Sequence, residues 1–140
     1  MITEDYVSFE TAKLLKEKGF DCACNVWYSE YTSQFGGEKY TCIEFDDNNK
    51  CNRLNKNYKF ICFAPTLQTA MKWLRKKHDL AITTFATMNG WRCSVSQVKL
   101  SIYGFIVDIL NGIDDGHIPR CNTYEEACEE AIRYCLKNLI

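Results

Sequence analysis

The sequence predicts an α+β fold: an antiparallel sheet carrying three helices on one face, in the order α-βββ-α-βββ-α, within a single domain over residues 1–140. Two observations carry this. Three segments open alike: SFETA (Ser8 to Ala12), TLQTA (Thr66 to Ala70) and TYEEA (Thr123 to Ala127) each run hydroxyl, bulky apolar, Glu or Gln, one more polar residue, alanine. A Ser or Thr at that place accepts a hydrogen bond from an otherwise unpaired first-turn amide, so each segment opens a helix. The runs between them are rich in β-branched and aromatic residues and meet at hairpin signals, which favours an antiparallel sheet with helices to one side.

Taken in order, Val7 and Ala12 are placed to staple the first helix, Ala12 and Leu15 face inward, and Gly19 suits its C-terminal position. Three strands follow: ACNVWY (residues 23–28), KYTCIEF (39–45) and, after the Asn-rich stretch DDNNKCNRLNKN (46–57), YKFICFA (58–64), which enters the second helix through Pro65. There Leu67, Ala70, Met71 and Leu74 repeat with the spacing of one buried helical face, and Arg75, Lys76, Lys77 and His78 complement its C-terminal dipole. LAITTFATM (80–88) and WRCSVSQV (91–98) flank Asn89-Gly90, a two-residue hairpin signal because both residues tolerate positive φ. KLSIYGFIVDIL (99–110) is a further strand and NGIDDGHIPRCN (111–122) a loop. In the last helix Thr123 and Glu126 form a capping box, and Tyr124, Ala127, Cys128, Ala131, Cys135 and Leu139 form its inward stripe. The repeated openings also fit a duplicated strand-helix unit, although capping physics alone produces the same pattern.

At 140 residues the chain is long enough to bury a core without disulfide staples. The acidic start, without a basic region followed by an apolar run, points to the cytoplasm, and no apolar run reaches the roughly 18 residues of a membrane span. Nine cysteines, an odd number scattered through the chain, then read as reduced thiols. A net charge of -1 lacks the footprint of a general nucleic-acid binder. The basic stretch LRKKHD beside Trp73 keeps nucleic acid as a third-ranked partner, though a charged helix end is usually a solvated one.

Cys22 and Cys24 are the metal candidates. Placed in a strand, they face one way and can meet a single ion, so zinc is the cofactor to consider, with two further ligands from Cys42, Cys51 or Cys62. The preferred reading is structural, because cysteine packs as a small apolar residue. Asp114, Asp115, His117 and Cys121 bring together the residue types of a metal or Cys-His site within what also reads as an ordinary turn. The Asn-rich stretch lacks the glycine and glutamate of a calcium loop, and no phosphate loop, dinucleotide turn, nucleophile elbow or HExxH pair occurs. No catalytic residue is assigned.

Trp27, Tyr28, Tyr31, Phe35 and Tyr40 crowd the first hairpin. Alternation along a strand should leave some of them on the face away from the helices, as a platform for a protein or a planar ligand.

TAKLLKEKGFD (Thr11 to Asp21), APTLQTAMKWLR (Ala64 to Arg75) and YEEACEEAIRYCLKNLI (Tyr124 to Ile140) together resemble a group of small uncharacterised proteins encoded by phages and prophages of gut Bacteroidales. The likeness covers the three helices. It implies a setting, the cytoplasm of an infected or lysogenic bacterium, and an accessory role, and it carries no catalytic residue. The expectation is a non-enzymatic module that binds a host protein or sequesters a small ligand through a sheet face or a homo-oligomer interface. The alternative is a metal-binding or cysteine-dependent enzyme using Cys22, Cys24, His117 and Cys121.

Overall fold

In the computed structural model, residues 2–45, 58–111 and 118–140 are described; the Asn-rich stretch with Cys51, and Asp114, Asp115 and His117, lie outside them. The fold is α+β in the predicted order, and the strands form two three-stranded antiparallel sheets. The chain divides into two compact units, Tyr6–Pro65 and Thr66–Ile140 with Met1–Asp5.

The first unit holds α1 (Phe9–Glu17), β1 (Val26–Thr32), β2 (Lys39–Phe45) and β3 (Tyr58–Phe63), with sheet order β2-β1-β3. Ser8 caps α1 by accepting from the Thr11 amide at 3.3 Å. Thr11, Ala12 and Leu15 are its buried residues, and α1 lies against β3. The Tyr28 hydroxyl donates to the Val7 carbonyl at 2.8 Å and its ring meets Phe9 edge-on at 5.3 Å, so β1 is tied to the entry of α1.

The second unit holds α2 (Leu67–His78), β4 (Leu80–Thr87), β5 (Gly90–Ser101), β6 (Gly104–Asn111) and α3 (Tyr124–Asn138), with sheet order β4-β5-β6. Thr66 caps α2 through the Thr69 amide at 3.2 Å. Thr123 caps α3 through the Glu126 amide at 3.1 Å, and the Glu126 carboxylate accepts in return from the Asn122 amide at 3.2 Å. Both helices lie over β4 or β5. Ala127, Cys128, Ala131, Ile132, Cys135 and Leu136 form the buried stripe of α3, so the buried end of the stripe is Leu136, one turn short of the expected Leu139. The two units share the order helix, three strands, yet β1 is central in the first sheet and the second strand, β5, is central in the other. A simple duplication would keep the same strand in the middle.

Both hairpins of the second sheet differ in detail from the sequence reading. The first turn is Met88-Asn89, one residue earlier than expected, and of the two residues expected at positive φ only Gly90, at φ 127° and opening β5, takes it. The second is Ile102-Tyr103, followed by Gly104 at φ 114°, and it divides the run 99–110, expected as one strand, between β5 and β6. Each turn is built the same way. The Thr87 hydroxyl donates to the Gly90 carbonyl at 2.7 Å and accepts from the Asn89 amide at 3.3 Å; Ser101 does the same with Gly104 at 2.8 Å and the Tyr103 amide at 3.2 Å.

A Cβ on Gly90 would meet the Cys121 carbonyl oxygen at 2.7 Å, where Trp91 and Cys121 exchange backbone hydrogen bonds of 2.8 and 3.0 Å. Gly90→Ala therefore combines positive-φ strain with a backbone collision, and is expected to lower stability by about 1–3 kcal/mol. Gly104→Ala, with open space around its Cβ, should lose less. Urea titration of both variants checks the ranking.

Candidate interaction surface

The strand β1 starts at Val26, which places Cys22 and Cys24 in the irregular segment before it and not within a strand as expected. Asn25 forms a bend there, so sheet alternation never acts on the two sulfurs. Cys22 is exposed and Cys24 half-buried, and the Cys24 thiol turns back to donate to the Cys22 carbonyl at 3.4 Å. Burial, and then the neighbouring Cys22, push the Cys24 thiol up. Among the described residues no three His, Cys, Asp or Glu converge to hold a metal ion.

The five aromatic candidates fall into three environments. Trp27 is 4% exposed and belongs to the core, which removes it from any platform. Tyr28 and Tyr31 are half-buried; Tyr31 packs on Tyr58 across β1 and β3 at 4.9 Å. Phe35, in the β1–β2 turn, and Tyr40, whose hydroxyl donates to Glu38, are exposed. Trp73 beside the basic helix end is buried, with its ring 4.8 Å from His78, and so offers no stacking surface to a base.

Two buried thiols of the second unit, Cys93 and Cys128, meet at one threonine. Thr84 Oγ1 stands 3.1 Å from Cys93 Sγ and 3.2 Å from Cys128 Sγ, and Cys93 donates to the Ala127 carbonyl at 3.1 Å. Burial pushes Cys93 up to about 11 against a partial offset from the Thr84 hydrogen bond, and pushes Cys135 up to about 12. The Cys121 thiol is also raised, by burial and then by Glu130 and Glu126. A thiol held protonated at neutral pH is a poor nucleophile and a poor metal ligand.

Among the described residues, exposed large apolar side chains concentrate where the sequence reading did not single them out, in the outer half of the β5–β6 hairpin. Cys93 and Val95 are buried on the face of β5 that carries α3, so alternation turns Ser96, Val98 and Leu100 to the opposite face. Their partners across the ladder are Ile109, Val107 and Phe105. Ser96 and Val98 are half-buried, whereas Leu100, Phe105, Val107 and Ile109, with Ile106 on the other face and Ile102 and Tyr103 at the turn, are between 51% and 93% exposed. Because β6 is the last strand in its sheet, one side of its backbone has no neighbouring strand among the described residues. The signal was present in sequence as the apolar run 102–110, but a run of that kind reads equally as a buried central strand.

Two small depressions accompany these surfaces. One of about 150 Å³ is lined in the first unit by Ala12, Lys16, Phe20, Asp21 and the end of β3. The other, about 270 Å³, lies in the second unit beside Phe105, Val98, Leu80 and Arg75. Both are below the roughly 300–1,000 Å³ of typical small-molecule sites. Among the described residues no helix is long and apolar enough to cross a membrane. Compared with protein-family models, with curated proteins and with solved structures, the chain matches none.

The thiol environments set a pH dependence. Cys93 and Cys135 titrate higher in the folded chain than the ordinary 9.0, so the folded state holds protons that the unfolded state releases above that pH. Their contribution to stability is complete below pH 9 and is lost as pH rises toward 11 and 12. Unfolding free energy from urea titration is expected to decline above pH 9, with a shallower decline in Cys135→Ala; an equal slope in that variant would contradict the assignment.

Proposed function

We propose that the protein is a non-catalytic phage or prophage accessory module that works in the bacterial cytoplasm and binds a host protein through the outer face of its second sheet. The observation that carries this reading is the exposed β5–β6 hairpin, where Leu100, Ile102, Tyr103, Phe105, Val107 and Ile109 are between 56% and 93% exposed, a concentration of apolar side chains that marks an interaction site more often than free surface. The raised Cys93, Cys121 and Cys135 thiols weigh against cysteine-dependent chemistry at those residues.

Leu100 on β5 and Ile102 at the turn are exposed, so replacing both by aspartate should change folding stability by less than about 1 kcal/mol. A tagged chain incubated with Bacteroidales lysate is expected to retain a host protein at fixed stoichiometry, and Leu100→Asp with Ile102→Asp is expected to lose at least tenfold of it. Equal retention by the folded variant would overturn this surface as the site. Zinc found at one ion per chain by elemental analysis would move the reading to the Cys22–Cys24 alternative.

A further inference from the structure

Beyond the face of the β5–β6 hairpin lies its edge, and we propose that β6 pairs antiparallel with β6 of a second copy of this chain about a twofold axis at Val107. The two three-stranded sheets of the second units become one sheet of six strands. The inference rests on the reading of the hairpin as an interaction element and names what occupies its backbone edge.

Three features of β6 select a second copy. The first is the backbone: β6 pairs with β5 on one side only, and residues 104–109 form a regular ladder up to the irregularity between Val95 and Ser96. An unpaired edge of that length is satisfied by another extended strand.

The second is self-complementarity. Around Val107 the strand reads Phe105, Ile106, Val107, Asp108, Ile109. Reversal about Val107 sets Phe105 against Ile109 of the second copy and Val107 against itself, giving three apolar cross-strand pairs on the outer face. Each copy presents the same patch to the other, as a twofold interface requires.

The third is that neighbouring registers are worse. A slip of one residue sets the helix-bearing face of one copy beside the outer face of the other. An axis at Asp108 opposes two carboxylates, and an axis at Ile106 draws the Ile102-Tyr103 turn into the seam. With the axis at Val107, Asp108 lies against Ile106 of the second copy, beyond which stands Lys99, the β5 partner of Ile106. The two rows through Asp108 and Ile106 then each carry one negative and one positive side chain, and the rows between them are uncharged.

Size-exclusion chromatography with light scattering at tens of micromolar tests this. The wild-type chain is expected at twice its 16.3 kDa mass. Val107 is exposed, so Val107→Lys and Val107→Glu should keep the wild-type circular dichroism and melting profile while placing like charges on the axis. Each variant alone is expected at the mass of one chain, with association weakened at least tenfold, and an equimolar mixture of the two is expected to recover the dimer. Ile109→Lys, one pair from the axis, should also weaken the dimer should a charge at 107 disturb the strand. A wild-type chain that stays at 16.3 kDa, or a dimer that survives both Val107 variants, would overturn the proposal. Either result leaves host-protein capture, read through Leu100 and Ile102, to be judged separately.

Discussion

A side-chain hydroxyl standing in for a missing backbone partner recurs at the three helix starts and at both hairpin turns of the second sheet. Ser8, Thr66 and Thr123 accept from the amides that open α1, α2 and α3. Thr87 and Ser101 close the two hairpin turns of the second sheet by accepting an amide and donating to a carbonyl. Backbone groups at such points have no neighbour in a helix or ladder, and a short hydroxyl side chain satisfies them locally. Element starts are thereby fixed from within, and tertiary packing has only to join elements whose ends are already set.

That local origin explains what was legible in the sequence. The helix starts were, because the cap, the capping box of α3 and the 3.6-residue stripes are all written within a few residues of each other. The turn at Ile102-Tyr103 was written too, as Ser101-x-x-Gly104 repeating Thr87-x-x-Gly90, but an apolar tip hid it within what reads as one long strand. Strand partnership was not legible. Nothing within β1 or β5 says that each will be central, or that six strands will divide into two sheets, because that depends on which strands meet across long stretches of chain.

The site was less legible than the fold for a related reason. Density of aromatics drew attention to Trp27, Tyr28, Tyr31, Phe35 and Tyr40, yet composition does not distinguish a core tryptophan from a surface one, and Trp27 proved to be core. Cys22 and Cys24 were read through strand alternation, which has no force in the bent segment ahead of Val26. In β6 the apolar residues fit a buried or an exposed strand equally, and the structure places the strand at the end of its sheet with those side chains exposed.

The edges of the two sheets differ in a way that locates the interaction surface more sharply than exposure alone. In the first sheet, edge strand β2 carries Lys39, 3.6 Å from Glu30 on β1, and Glu44, which accepts from Ser29 at 3.0 Å; β3 carries Lys59. Charges of that kind blunt an edge against further pairing. In the second sheet, β4 interleaves threonines at 83, 84 and 87, whereas β6 has one charge, Asp108, in a run of apolar residues. An open backbone edge and an apolar face on the same strand impose different requirements on whatever covers them. The edge asks for an extended strand in register, and the face asks only for apolar area. A second copy of β6 meets the first requirement with its own sequence, and in doing so it lays two outer faces side by side as one broader surface for a different protein.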